Sequence, residues 1–174
     1  AVMDLHETAS ILIPERRANP GDDLVSWMVQ AEFDGEKMTD DELKAFFTLL
    51  AVAANDTTRH ASAHAIYALS KFPEQRDLLV ADVPGRVDTA VEEILRLESP
   101  VQLSARVART DTEVAGTTLR AGEMVVTYLA AANRDPAVFA DPHRFDVRRE
   151  NAGKHLAFSG GRHFCLGAAL ARAE

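Results

Sequence analysis

Over roughly the first hundred residues the apolar positions recur at helical spacing, and after that the pattern breaks into short runs. Within residues 1–38, DLVSWMVQAEF places Leu24, Val25, Met28 and Val29 on one helical stripe with Trp27 as a packing residue, before Asp34-Gly35 interrupts it. Thr39-Asp40-Asp41-Glu42 is a capping box, its hydroxyl and carboxylate placed to satisfy amides that a helix start leaves unpaired. Leu43, Phe46, Phe47 and Leu50 then set an apolar face, and neither Pro nor Gly follows until Pro73. The pattern predicts one helix of roughly 33 residues, about 50 Å long. Pro73 to Val80 reads as a short helix and Pro84-Gly85 as a turn. Val87 to Glu98 reads as a helix with Val87, Val91, Ile94 and Leu95 on one side. From Val101 the β-branched runs QLSARVART, EVAGTTL and GEMVVTYLA, the last two separated by Arg120-Ala121, read as short strands. Asn133-Arg134-Asp135-Pro136 opens a turn, an irregular stretch runs from Asp141 to Phe158, and a final helix begins after Cys165. The fold class that results is mainly α with a small β component.

Composition narrows the function classes. A chain of 174 residues with 47% hydrophobic and 26% charged residues suits one globular domain. One cysteine can form neither an internal disulfide nor a thiolate-rich zinc site, so a reducing, cytoplasmic setting is expected. A net charge of −8 with no Lys/Arg cluster disfavours nucleic acid. No apolar run reaches about 18 residues, and AVMDLHETAS lacks the form of a signal peptide, so no membrane span is expected. Ala1 is not a start methionine and Glu174 falls within a helical pattern, so a partial sequence is expected.

Four segments carry candidate chemistry. Ala53-Ala54-Asn55-Asp56-Thr57-Thr58 puts four residues that compete for backbone hydrogen bonds at the centre of the long helix, where they would weaken or widen it. It reads either as an exposed polar patch or as a groove in which Asp56 and Thr57 relay protons. His60 and His64 share a helical face at i, i+4, but Ala61 stands where a zinc protease would carry its glutamate. Glu93 and Arg96 are spaced i, i+3, and periodicity alone makes them a solvated pair opposite the apolar stripe. Phe158-Ser159-Gly160-Gly161-Arg162-His163-Phe164-Cys165-Leu166-Gly167 surrounds the only thiol with glycines that admit a flat group, and Phe158 can pack against it. A helix starting just after Cys165 would favour its thiolate. A lone cysteine is otherwise most simply a buried structural residue. The metal site that needs only one thiolate is thiolate-ligated haem iron.

FSGGRHFCLG resembles the haem-binding loop of the cytochrome P450 family at every defined position: Phe158, Gly161, His163, Cys165 and Gly167. In the family's order and approximate spacing, AANDTT resembles the oxygen-groove motif, Glu93-Ile94-Leu95-Arg96 the ExxR motif, and Pro142-His143-Arg144-Phe145 the motif whose arginine completes a triad. The resemblance covers essentially the whole chain and is nearest the soluble bacterial branch. It implies a single partial domain over 1–174, the C-terminal haem-binding part of a cytochrome P450 fold.

What the resemblance implies is specific. Cys165 would ligate the iron of haem b, and Phe158, Gly161 and Gly167 would line it. Arg106 and His163 would pair with its propionates. Asp56 and Thr57 would deliver protons for cleavage of O2, and Glu93, Arg96 and Arg144 would form a buried triad behind the loop. The activity would be a monooxygenase acting on a lipophilic substrate with O2, fed by ferredoxin and ferredoxin reductase. Peroxide-driven or isomerising chemistry and non-catalytic haem binding are the alternatives, and retention of Asp56-Thr57 weighs against the first. The sequence departs from the family's pattern at Ala54 and Ser159, where glycine is frequent.

Overall fold

The structure, a computed structural model, describes residues 2–174. It divides into two compact units, one ending at Asp56 and one beginning at Thr57, with the boundary inside the longest helix.

The first unit contains α1 (Val2–Ala18), α2 (Leu24–Gln30), a hairpin of β1 (Glu32–Phe33) and β2 (Glu36–Lys37), and the start of α3 (Asp40–Lys71). Ala9 and Ile13 of α1, Met28 and Val29 of α2 and Leu43 of α3 form its core, with Phe46, Phe47 and Leu50 packed against it. Trp27 stays on the outer face of α2 and is exposed, because neighbouring Met28 and Val29 take the core-facing positions. Asp23 caps α2 by accepting from the Ser26 amide at 2.8 Å, and it also accepts from Arg16 Nε at 2.5 Å. Asp34 and Gly35 both have positive φ, as a two-residue hairpin turn requires. The capping box forms reciprocally: the Glu42 amide donates to Thr39 Oγ1 at 3.3 Å and the Thr39 amide to Glu42 Oε2 at 2.8 Å. The Thr39 amide and hydroxyl hold the Glu42 carboxyl below its ordinary range.

α3 is continuous over 32 residues, and residues 53–58 neither break nor widen it. Each polar residue there costs at most about 0.7 kcal/mol of helix propensity. A cooperative helix anchored by buried Leu43 and Ala68 offsets that cost.

The second unit adds α4 (Pro73–Ala81), α5 (Val83–Leu97), four short strands, α6 (Leu129–Ala132) and α7 (Ala168–Ala173). α5 begins before the expected turn at Pro84-Gly85, because Asp82 caps it by accepting from the Gly85 amide at 3.2 Å. Pro84 sits in the first helical turn, where a missing N–H leaves no bond unmade. A β-carbon on Gly85 would stand 2.5 Å from Asp82 Oδ2, so this cap needs glycine. β3 (Leu103–Val107) pairs antiparallel with β6 (Met124–Tyr128), with Ala105 opposite Val126. The stretch EVAGTTL, expected as one strand, is a hairpin of β4 (Thr112–Val114) and β5 (Thr117–Leu119) turning at Ala115 and Gly116, both at positive φ.

Two cores flank α5. Ala90, Ile94 and Leu97 pack with Ala68, Phe145 and Val147, and the rings of Phe72 and Phe145 lie 5.5 Å apart. Leu95, with Val91 beside it, packs with Phe158 and Ala168. The last turns of this helix are therefore apolar-packed on two sides, and its polar residues must find partners inside the protein.

Candidate functional site

Glu93 and Arg96, which periodicity reads as solvated, are fully buried. Their pairing is a two-pronged fork, with Arg96 Nε 2.6 Å from Glu93 Oε2 and Arg96 Nη2 2.9 Å from Oε1. The remaining guanidinium protons go to carbonyls of Asn133 and Pro142, both at 2.8 Å, and Arg144 at 3.2 Å. Arg96 also lies over the Phe139 ring, 5.1 Å from its centroid. Burial of this pair is sustained because the donors and acceptors on both sides are matched.

The third member differs from expectation. Arg144 offers its backbone carbonyl, while its side chain is 57% exposed and pairs loosely with Asp146 at 3.7 Å. The side chain that closes on Glu93 is Arg149, only 9% exposed, with Nε 3.0 Å from Oε2. Its guanidinium also donates to the carbonyls of Ala140, Asp141 and Arg144 at 2.7, 3.2 and 3.0 Å. A turn intervenes, in which the Arg149 amide donates to the Asp146 carbonyl at 3.0 Å, and this returns position 149 to Glu93. The Asp146 amide completes the site by donating to Glu93 Oε1 at 3.0 Å. A structure-free signal was present in the second basic residue of DVRRE, five positions past Arg144.

Sequence reasoning also missed Asn133, which is completely buried. It donates to Ser99 Oγ at 2.7 Å and accepts from the Leu156 amide at 2.6 Å. It thereby joins the end of α5 to the segment leading into the cysteine loop. Gln75 does the same for α4, accepting from the buried Val147 amide at 3.0 Å. The clue to Asn133 was its place in NRDP, which was read only as a turn.

The loop itself closes on a backbone bond, the Cys165 amide donating to the Phe158 carbonyl at 3.0 Å. Phe158 is buried against Leu95 and Ala168, and Cys165 is exposed. Ser159 and Gly161 both take left-handed φ, at 62° and 64°. Glycine tolerates that without strain, and serine does not. α7 starts at Ala168, after a turn at Leu166-Gly167, and the Ala168 amide donates to the Cys165 carbonyl at 3.3 Å.

The donor chemistry of this loop fits a haem. Among the described residues no three His, Cys, Asp or Glu side chains cluster to hold a metal. Gly160, Gly161 and Gly167 present bare backbone, with no heavy atom within 4 Å of where a β-carbon would stand. Phe164 and Leu166, the sequence neighbours of Cys165, and Leu170 of α7 expose apolar side chains. His163 is exposed in the same loop. Arg106 is exposed on β3, where its Nη1 donates to Ser104 Oγ and the Ala105 carbonyl at 2.6 and 2.8 Å. Asp56 and Thr57 occupy consecutive positions of α3, one closing the first unit and one opening the second. His60 and His64 stack at 6.5 Å, and His64 Nδ1 lies 3.0 Å from the Glu98 carbonyl.

The second unit thus combines a buried Glu93–Arg96–Arg149 network with a glycine-rich loop that carries one exposed thiol. The sequence profile of the family Cytochrome P450 matches residues 86–174, and the chain belongs to the cytochrome P450 family. It is 49% identical over 172 residues to a methyl-branched lipid omega-hydroxylase of Mycobacterium tuberculosis, covering 98% of this chain and 40% of that protein. It is 46% identical over 162 residues to a steroid C26-monooxygenase of the same species, covering 93% and 43%. Cytochrome P450 CYP268A2 of Mycobacterium marinum, solved in complex with pseudoionone, superposes with a TM-score of 0.91 at 49% identity, covering 98% of this chain and 41% of that one. The chain spans about two-fifths of the length of these relatives. No helix among the described residues is long and apolar enough to cross a membrane.

Proposed function

We propose that the chain is one partial domain of a haem-thiolate monooxygenase that inserts one oxygen atom of O2 into a C–H bond of a lipophilic substrate. The observation that carries this reading is the Phe158–Cys165 loop, which leaves the only thiol exposed while Phe158 is buried against Leu95 and Ala168. When bound, the haem supplies two-electron activation of O2, in which one oxygen atom enters the substrate and the other, with two protons, leaves as water. Haem b fits, with Cys165 as its thiolate ligand and with Phe158, Gly161 and Gly167 leaving its face uncrowded. Arg106 and His163 would hold the two propionates by charge-assisted hydrogen bonds.

Asp56 and Thr57 are assigned proton delivery: the Asp56 carboxylate, exposed on α3, takes a proton from solvent and Thr57 Oγ1 passes it on. The Glu93–Arg96–Arg149 network is assigned to holding the loop. Ferredoxin and ferredoxin reductase are the proposed electron donors, with exposed Arg162 a candidate contact, and the proposed setting is cytoplasmic. The names of the two hydroxylating relatives support a lipid substrate.

The test uses the full-length protein with ferredoxin, ferredoxin reductase, NADH and a panel of branched lipids and sterols under 18O2. One labelled oxygen in the product, dependent on the electron donors, is the expected result. Unlabelled product, or turnover only with added peroxide, would overturn the monooxygenase assignment in favour of the peroxide-driven alternative.

A further inference from the structure

Glu92, next to the buried Glu93, is the centre of a second network. Its carboxylate pairs with Arg172 of α7 through Nε to Oε1 and through Nη2 to Oε2 at 3.2 Å. Its Oε2 also lies 2.9 Å from Nε2 of His155, which is buried. The Ala157 amide donates to His155 Nδ1 at 3.1 Å, so Nδ1 is an acceptor and the imidazole proton sits on Nε2. Both partners touch Phe158: the Arg172 guanidinium lies over its ring at 4.5 Å, and the His155 ring lies 5.7 Å from it.

Phe158 is also the residue whose carbonyl binds the Cys165 amide. Arg172 is tied to the other side of the cysteine, Nη1 reaching the Ala168 carbonyl at 3.5 Å while the Ala168 amide reaches the Cys165 carbonyl. A positive charge is thus held by a carboxylate and an aromatic ring, and linked to the Cys165 backbone through Ala168. The Glu92 hydrogen bond keeps the guanidinium's pKa raised, with a smaller contribution from Cys165 itself.

We infer that Arg172 is a positioning residue that sets the electron density of Cys165, with Glu92 holding it in place and partly neutralising it. The inference rests on the haem-thiolate reading. A positive charge near the ligand stabilises the reduced, electron-richer state, and a negative charge opposes it. Glu92 and Arg172 must therefore act on the reduction potential with opposite signs.

The experiment measures the ferric–ferrous potential by spectroelectrochemical titration of full-length holoprotein, after the reduced CO complex has been recorded for each variant. Arg172→Gln is expected to shift the potential negative, Arg172→Lys to return it toward wild type, and Glu92→Gln to shift it positive. If Glu92→Gln yields no folded holoprotein, the two arginine variants decide, since a shift that lysine restores reads charge and not packing. Unchanged potentials, shifts of the same sign for Glu92→Gln and Arg172→Gln, or a failure of lysine to restore the value would overturn the inference while leaving a thiolate-type CO spectrum intact. A wild-type protein without that spectrum would instead overturn the haem-thiolate reading, and this inference with it.

Discussion

Replacing Arg149 by Met tests which arginine completes the buried network. The substitution keeps most of the apolar stem and removes the guanidinium, which is only 9% exposed in the native protein. One charge-assisted bond to buried Glu93 is lost, a loss of about 1.5–3 kcal/mol. The carbonyls of Ala140 and Asp141, also left without this donor, sit on exposed residues where water can replace it, adding about 1 kcal/mol. Glu93 keeps its fork to Arg96 and its bond from the Asp146 amide, so the cost stops short of a fully orphaned buried charge. The expected total is about 3 kcal/mol. Arg144→Met, by contrast, removes a 57% exposed side chain 3.7 Å from its partner and should cost about 0–1 kcal/mol. Urea titration of full-length holoprotein, followed by loss of the Soret band, reads both. An Arg144 variant destabilised as much as or more than the Arg149 variant would refute the reasoning and restore Arg144 to the network.

Three further outcomes follow from the site. Ser159→Gly relieves a left-handed φ and should raise the thermal midpoint, by about 1 kcal/mol of stability, whereas Ser159→Val should lower it. Burial chiefly, with the Arg172 charge adding to it, pushes the His155 imidazole below its ordinary value of 6.5 against the pull of Glu92. Its neutral form is therefore favoured in the folded state, so stability should fall as pH drops below about 6.5 and down through the depressed value. His155→Gln should flatten that part of the melting-temperature profile, and an unchanged slope would exclude His155 as its source. Burial raises the Glu92 carboxyl, but Arg172 and His155 together outweigh this and hold it low, so its contribution is present above 4.5 and is lost only in stronger acid. Thr57→Ala in the full-length protein should uncouple NADH consumption from product and release peroxide; matched consumption and product would remove Thr57 from proton delivery.

Much of the helical framework was legible because it rests on local rules. The capping box at Thr39–Glu42, the uninterrupted apolar face of α3 and the proline opening α4 each declare themselves within a few residues. The burial of Glu93 and Arg96 was not legible from periodicity, since α5 packs on two sides and its third side is covered by loop residues 37 to 56 positions away. Only the family resemblance placed that pair inside. The same distance explains why Arg149, Asn133 and Glu92 went unread: each is an ordinary polar residue in its own segment. Their importance comes from partners at Glu93, Leu156 and Arg172. The EVAGTTL hairpin was misread because Ala115 supplies one of its two positive-φ positions, where glycine or asparagine would have marked the turn.

The central claim is that Cys165 is the thiolate ligand of a haem. The reduced, CO-bound difference spectrum of the full-length protein and of its Cys165→Ala variant tests it most directly. The account requires a thiolate-type Soret maximum in the wild type and its loss in the variant. No such maximum in the wild type, or its survival without Cys165, would contradict the account.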